Sequence, residues 1–96
     1  MGGRASSVSD EIIETDDTSF VYILGSGGKG GWRTYVGWTT DLGRRLDEHN
    51  SGTGARSTKG RKWSLLYAER YINRREAMSR EWYLKKDRKF RKIVCL

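Results

Sequence analysis

Residues 35–52 read YVGWTTDLGRRLDEHNSG, a stretch in which a strand pattern passes directly into a helix pattern. The first residues, through Trp38, are mostly of the aromatic and β-branched types that are enriched in strands. Thr39 or Thr40 then offers the side-chain oxygen of a helix N-cap, and Asp41 would place a negative charge at the positive end of the helix dipole. The stretch therefore predicts a strand followed at once by a helix.

The predicted helix continues to about Asn50 and has one apolar stripe, formed by Leu42 and Leu46 at a spacing of four residues. Arg45 and His49 have the same spacing and border that stripe. We expect both side chains to point toward the edge of a neighbouring sheet, where they would form one polar platform. A partly buried histidine with no chemical role is the other interpretation of His49.

The flanking sequence predicts two more strands and a second helix. Residues 20–24 form a short β-branched and aromatic run, and the glycine-rich residues 25–31 join it to the strand of residues 32–38 as a hairpin. Residues 63–71 predict a third strand, and residues 74–89 follow a capping box and predict a helix with basic last turns. The order β-β-α-β-α indicates an α+β domain with a three-stranded antiparallel sheet flanked by helices.

The composition limits what such a chain can be. It has 96 residues, no proline, and 19 lysines and arginines against 12 acidic residues, for a net charge of +7. A single cysteine, Cys95, excludes an internal disulfide framework and a cysteine-based zinc site. With no apolar run of membrane-spanning length and no signal-peptide pattern, the expected location is the cytoplasm.

The charge is distributed unevenly along the chain. Residues 1–18 are small, polar and acidic and predict a disordered tail, whereas residues 19–96 carry the basic charge and predict the folded domain. Such a domain attracts a polyanion, most commonly nucleic acid, although a basic surface that only aids solubility is the alternative. The predicted nucleic-acid-binding residues are cations of one loop and of the second helix: Lys59, Arg61, Lys62, Lys85, Lys86 and Lys89.

Glu81 is the most unusual residue of the second helix, because it interrupts a predicted apolar stripe. The stripe consists of Ala77, Met78, Trp82 and Leu84. A carboxylate buried without a partner is costly, so such a group is usually paired with a cation, bound to a metal or functional. The sequence leaves two interpretations open, an ion pair with an arginine and a metal ligand for phosphate chemistry.

Two tyrosines lie on the predicted hairpin, Tyr22 on its first strand and Tyr35 on its second. Strand tyrosines more often contribute to sheet packing than to catalysis. Together with Arg45, His49 and Glu81, however, they form a set whose order along the chain resembles that of the GIY-YIG nuclease family.

The resemblance is carried by short motifs and by one long run. The residues VYIL at 21–24 stand where the first family motif lies, and YVG at 35–37 stands where the second lies. The run 35–52, followed by the pair Arg80-Glu81, looks especially like the small single-domain bacterial members. Trp38 stands where some members have a lysine. The resemblance covers about residues 19–90.

The resemblance implies a role for each residue of the set. Tyr22 and Tyr35 would flank the scissile phosphate and the attacking water, Arg45 would bind the phosphate, and a divalent metal, Mg²⁺ or Mn²⁺, would be held by Glu81. His49 takes a place that relatives fill with His or Tyr. An unperturbed tyrosine has a pKa near ~10, so Tyr35 acting as general base would need help from the metal, Arg45 or Tyr22, and His49 is a competing proton acceptor. We favour a tyrosine base that His49 assists.

The function that the resemblance implies is a metal-dependent DNA endonuclease that hydrolyses phosphodiester bonds. It would be structure-selective or weakly sequence-specific and would act in DNA repair, recombination or processing, on branched or damaged DNA, with a protein partner that supplies specificity. The alternatives are a non-catalytic DNA- or RNA-binding module and a subunit that recruits proteins. The intact residue set favours the enzyme, because a module that only binds has no need of it.

Overall fold

The computed structural model describes residues 18–28 and 30–95. The acidic tail predicted for residues 1–18 lies outside these residues except for Thr18, so its disorder stays a prediction. No helix in the described part of the chain is long and apolar enough to cross a membrane.

Three strands form one antiparallel sheet. They are β1 (Ser19–Ser26), β2 (Arg33–Thr39) and β3 (Ser64–Tyr71), in the spatial order β2-β1-β3. Residues 21–26 of the central strand β1 are all buried, which requires that both faces of the sheet be covered. The predicted α+β fold with a three-stranded antiparallel sheet is confirmed.

The helices of the described chain are α1 (Leu42–Ser51), a 3₁₀ turn (Arg56–Thr58), α2 (Arg74–Lys86) and α3 (Arg88–Val94). The N-cap of α1 is Asp41, whose carboxylate accepts a hydrogen bond from the backbone N–H of Arg44 at 3.1 Å. The cap predicted at Thr39 or Thr40 is therefore wrong. The Thr39 hydroxyl instead accepts from the backbone N–H of Asp41 at 3.1 Å.

The single helix predicted for residues 74–89 is wrong in its C-terminal part. At Asp87 the chain leaves helical geometry, with φ −91° and ψ 80°. The Asp87 carboxylate accepts a hydrogen bond from the backbone N–H of Phe90 at 3.0 Å and so caps a new helix, α3. The break lets Phe90 and Val94 pack against the core of the sheet. The order is therefore β-β-α-β-α-α.

Each face of the sheet has its own core, because successive residues of β1 point to opposite sides. We name the side of Tyr22 and Leu24 the first face; these residues pack there with Trp63 and with Leu42 and Leu46 of α1.

The second face carries Val21 and Ile23, which pack with Val36 and Trp38 of β2 and with α2. Trp38 of β2 therefore packs against the core on this face of the sheet.

The face that α2 turns toward the sheet differs from the predicted stripe. Ala77 and Leu84 are fully buried, whereas Met78 is 47% and Trp82 is 56% exposed, so the prediction is wrong for the latter two. Ala77, Glu81 and Leu84 follow one another at spacings of four and three residues, which places Glu81 on the buried stripe of the helix.

Candidate active site

Two tyrosines and a histidine meet on the first face of the sheet. Leu24 is paired with Tyr35 across β1 and β2, and both tyrosines join the cluster that packs against α1. The ring centroid of His49 lies 5.9 Å from that of Tyr22 and 4.8 Å from that of Tyr35. Three side chains that the sequence assigned to separate elements therefore form one cluster.

His49 is completely buried, and both nitrogens of its imidazole are hydrogen-bonded. Nε2 lies 2.9 Å from the hydroxyl oxygen of Tyr22, and Nδ1 lies 2.8 Å from Oγ1 of Thr58. Burial, followed by the positive charge of Arg45, lowers the pKa of His49 below its usual 6.5. His49 is thus a neutral, fixed ring at pH 7, and it lies deeper than the partly buried histidine that the sequence allowed.

Arg45 of α1 borders this cluster with 30% of its side chain exposed. Its Nη1 donates to Oε1 of Glu48 at 2.8 Å, which raises the pKa of Arg45. Burial raises the pKa of Tyr22 to about 12, and the nearby guanidinium of Arg45 acts in the opposite direction. Arg45 therefore holds a permanent positive charge beside a phenol that is protonated at neutral pH.

Glu81 of α2 has 20% of its side chain exposed, and its Oε2 lies 3.5 Å from Nζ of Lys85 on the next helical turn. This partner is a lysine and not the arginine that one interpretation expected. Because Lys85 is 56% exposed, the solvent screens the attraction between the two charges. The negative charge of Glu81 also raises the pKa of Tyr22, although burial has the largest effect. The two side chains therefore lie within electrostatic range.

The side chain of Glu81 would offer one carboxylate ligand to a divalent metal ion. Within residues 18–28 and 30–95 no group of three or more His, Cys, Asp or Glu side chains could hold a metal ion by itself. Mg²⁺ is often bound by one or two protein carboxylates and completes its shell with water and substrate phosphates. A single, partly exposed carboxylate fits that pattern.

Residues 18–93 match the family model of the GIY-YIG catalytic domain. The chain belongs to the GIY-YIG family. It is 42% identical over 79 residues to UPF0213 protein CPE1444 of Clostridium perfringens, covering 81% of this chain and 82% of that one. It is 37% identical over 82 residues to UPF0213 protein OB0043 of Oceanobacillus iheyensis, covering 84% and 92%. The solution NMR structure of UPF0213 protein BH0048 from Bacillus halodurans matches at 37% identity and a TM-score of 0.44, covering 81% of this chain and 83% of that one.

Membership of the GIY-YIG family supports the predicted resemblance and its general consequences. The GIY-YIG domain is a nuclease domain, it implies a DNA substrate, and GIY-YIG nucleases generally depend on divalent metal ions. The names of the relatives add no specific activity, substrate or metal.

A second polar cluster of this GIY-YIG domain lies on the opposite side of the sheet and was not predicted from the sequence. Arg80 of α2 donates to Glu69 of β3 through Nε at 2.8 Å and through Nη2 at 3.1 Å. The hydroxyls of Tyr67 and Tyr71 also donate to Glu69, that of Tyr71 at 2.6 Å. Burial alone would raise the pKa of Glu69, but these hydrogen bonds outweigh it and hold the pKa at about 2. Because Arg80 precedes Glu81, this cluster fixes the helical turn that carries the candidate metal ligand.

The cations predicted to bind nucleic acid are in different surroundings. Arg61 donates through Nη2 to the carbonyls of Ser26 and Gly31, at 3.2 and 2.8 Å, and so ties its loop to the β1–β2 connection. Nζ of Lys86 lies 4.5 Å from the ring centroid of Trp82. The remaining members are exposed; they are Lys59, Lys62, Lys85 and Lys89. Their role in nucleic-acid binding stays a prediction, and Arg61 has in addition a contact role within the protein.

Proposed function

We propose that this GIY-YIG domain is a divalent-metal-dependent DNA endonuclease that hydrolyses phosphodiester bonds and selects DNA structure more than sequence. The observation that carries the proposal is the hydrogen bond between Tyr22 and the fully buried His49, beside Tyr35 and Arg45. Burial of polar groups is costly in a domain with a small core. A polar cluster of this kind supports a chemical role over packing alone.

Arg45 supplies charge stabilisation. Its planar guanidinium can donate two parallel hydrogen bonds to the non-bridging oxygens of a phosphate, where negative charge accumulates in the transition state. The contact with Glu48 restricts the guanidinium to one orientation while a part of it remains exposed to the solvent. A Mg²⁺ or Mn²⁺ ion on the Glu81 carboxylate would supply Lewis-acid stabilisation of the developing charge when it is bound.

The proton of the attacking water needs an acceptor. The sequence favours a tyrosine base assisted by His49, and the phenol that is hydrogen-bonded to His49 is that of Tyr22. With its pKa of about 12, Tyr22 is protonated at pH 7 and cannot accept a proton unless it releases its own. His49, which is neutral, is the adjacent acceptor. We therefore assign the assisted tyrosine as Tyr22 and leave to Tyr35 the positioning of water and phosphate.

Exposed cations would hold the DNA backbone. Lys59, Lys62 and Lys89 would contact phosphates, which gives binding that weakens steeply with salt and varies little with sequence. Discrimination would then come from DNA structure or from a protein partner. A role in DNA repair, recombination or processing and a cytoplasmic location belong to the same proposal.

The test is cleavage of branched, nicked and plain duplex DNA with Mg²⁺ or Mn²⁺. We expect Glu81→Gln and Arg45→Ala to lower the cleavage rate by about a hundredfold or more. Glu76→Gln, an exposed glutamate of the same helix, is the matched control and should cut at the wild-type rate. Binding without cleavage by the wild type, with either metal and on every substrate, would favour the alternative of a DNA- or RNA-binding module.

A further inference from the structure

Thr58 ends the 3₁₀ turn that follows α1, and no pattern in the sequence distinguishes it. The residue is completely buried. Its Oγ1 lies 2.8 Å from Nδ1 of His49 and 2.8 Å from the carbonyl oxygen of Ala55. One hydroxyl therefore serves two partners, although it has only one proton to donate.

The chemistry of the two partners, the Ala55 carbonyl and Nδ1 of His49, determines where the hydroxyl proton of Thr58 lies. The carbonyl oxygen of Ala55 has no hydrogen, so a contact of 2.8 Å with Oγ1 requires the hydroxyl proton of Thr58 between the two oxygens. The same proton is then not available to Nδ1 of His49. The contact at Nδ1 must instead be an N–H of His49 that donates to Oγ1 of Thr58.

The other nitrogen of His49 follows from this assignment. A neutral imidazole carries one N–H, so Nε2 retains a lone pair when Nδ1 is protonated. The contact of 2.9 Å between Nε2 and the Tyr22 hydroxyl is then a hydrogen bond that Tyr22 donates. In the opposite tautomer Nε2 would donate to Tyr22 and could not accept its proton.

We propose that Thr58 is a positioning residue that holds His49 in the Nδ1-protonated tautomer, so that Nε2 is ready to receive the hydroxyl proton of Tyr22. The catalytic part of this inference rests on the proposed endonuclease function. As the water oxygen bonds to phosphorus, the bond between phosphorus and the leaving oxygen breaks, and that oxygen keeps the electron pair and takes a proton from the solvent. In the same step one O–H bond of the attacking water breaks and its proton passes to the Tyr22 oxygen. The original Tyr22 proton passes to Nε2 of His49, which becomes an imidazolium. Thr58 makes and breaks no covalent bond.

The surroundings hold Thr58 in place for this role. Its backbone N–H donates to the carbonyl of Ala55 at 3.1 Å, and its own carbonyl accepts from Nε1 of Trp63 at 2.9 Å. Gly54 approaches the imidazole so closely that a Cβ there would lie 2.6 Å from Nδ1 of His49. The loop therefore fits tightly around one orientation of the ring.

The tautomer can be read directly, because His49 is the single histidine of the chain. In a long-range ¹H–¹⁵N correlation spectrum at neutral pH, we expect the wild type and Thr58→Ser to show a protonated Nδ1 and an unprotonated Nε2. Thr58→Val, which replaces the hydroxyl with a methyl group of similar size, should lose this pattern. A protonated Nε2 in the wild type, or an unchanged pattern in Thr58→Val, would overturn the proposal. If Thr58→Val does not fold, the wild-type spectrum by itself decides between the two tautomers.

The catalytic consequence has its own measurement. We expect Thr58→Val to lower kcat about tenfold to a hundredfold with KM nearly unchanged, by analogy with the loss of a hydrogen-bond partner that orients a metal-bound histidine. Thr58→Ser should restore kcat. A shifted tautomer with wild-type kcat would overturn the role in catalysis. Failure of the wild type to cut DNA would instead reject the endonuclease, while the spectrum would still report on Thr58.

Discussion

The hydroxyl oxygen of Tyr22 occupies the space that a side chain on Gly37 would need. The two residues are paired across β1 and β2, and a Cβ on Gly37 would lie 2.5 Å from that oxygen and 2.8 Å from Cζ of the same ring. Real Cβ atoms do not approach other atoms so closely. The glycine of the YVG motif is therefore what lets Tyr22 cross β2 and reach His49.

Gly37→Ala should displace the Tyr22 ring and break its hydrogen bond with His49. We expect a loss of about 1–3 kcal/mol in the free energy of unfolding, as for other overpacked sites, together with a loss of cleavage. Urea denaturation and the imidazole resonances of His49 measure the two effects. Gly43→Ala on α1 is the control, because its Cβ would meet only Oδ1 of Asp41 at 3.9 Å and alanine favours a helix. Equal losses in both variants would contradict the packing argument.

The buried imidazole makes stability depend on pH. The pKa of His49 is lowered by burial and by Arg45, while Glu48 acts in the opposite direction. As the pH falls below the usual histidine pKa of 6.5, the unfolded chain therefore binds a proton more readily than the folded chain. The stability that this difference provides is complete above pH 6.5 and is lost as the pH falls toward the lower folded pKa.

Urea denaturation at a series of pH values between about 7.5 and 5.5 tests this expectation, since the free energy of unfolding should fall as the pH falls. In His49→Gln, which cannot titrate, most of this slope should vanish. An NMR titration that places the midpoint of His49 above its usual 6.5 would contradict the expected sign.

Local sequence patterns predicted the strands and the capped start of α2 at Asn73 well, but they missed the N-cap of α1 and the break at Asp87, for a physical reason. β-branched and aromatic runs such as residues 20–24 favour strands by themselves. The break at Asp87 depends instead on packing, because a new cap lets Phe90 and Val94 contact the core. An aspartate without proline or glycine nearby also suits the surface of a continuous helix. No local pattern around Asp87 therefore signals the break.

The candidate site was predictable only in part. Helical spacing points to Arg45, His49 and Glu81, and the order of these residues with Tyr22 and Tyr35 resembles that of a family. Thr58 was missed because one hydroxyl in a polar loop looks the same whether it faces solvent or a buried imidazole. The alternation of Tyr67, Glu69 and Tyr71 on one face of β3 was an available signal for the second cluster, but its partner Arg80 lies on another element.

Glu69→Gln should destabilise the contact between β3 and α2. The variant loses the negative charge that accepts from Arg80 and from two tyrosines, so we expect the free energy of unfolding to fall by about 1–3 kcal/mol. In the wild type, the contribution of this carboxylate is present above its usual pKa of 4.5 and is lost as the pH falls toward 2. Chemical denaturation at pH 7 and at about pH 3.5 measures both effects. Glu76→Gln, in the exposed first turn of α2, should cost less, about 0.3–1 kcal/mol, because it loses only the interaction of one carboxylate with the helix dipole.

Arg45→Lys tests whether the site needs a planar guanidinium that donates two hydrogen bonds or only a positive charge. Arg45 donates to Glu48 and lowers the pKa of the neighbouring Tyr22, and the compact ammonium of lysine cannot keep the contact with Glu48 together with two hydrogen bonds to a phosphate. We expect kcat to fall by roughly a hundredfold, while the salt dependence of DNA binding stays unchanged because the charge is kept. Arg44→Lys is the control, since Arg44 is 63% exposed and lies 3.7 Å from the same Glu48. If Arg45→Lys cuts as fast as Arg44→Lys, then phosphate recognition at this site depends on charge alone.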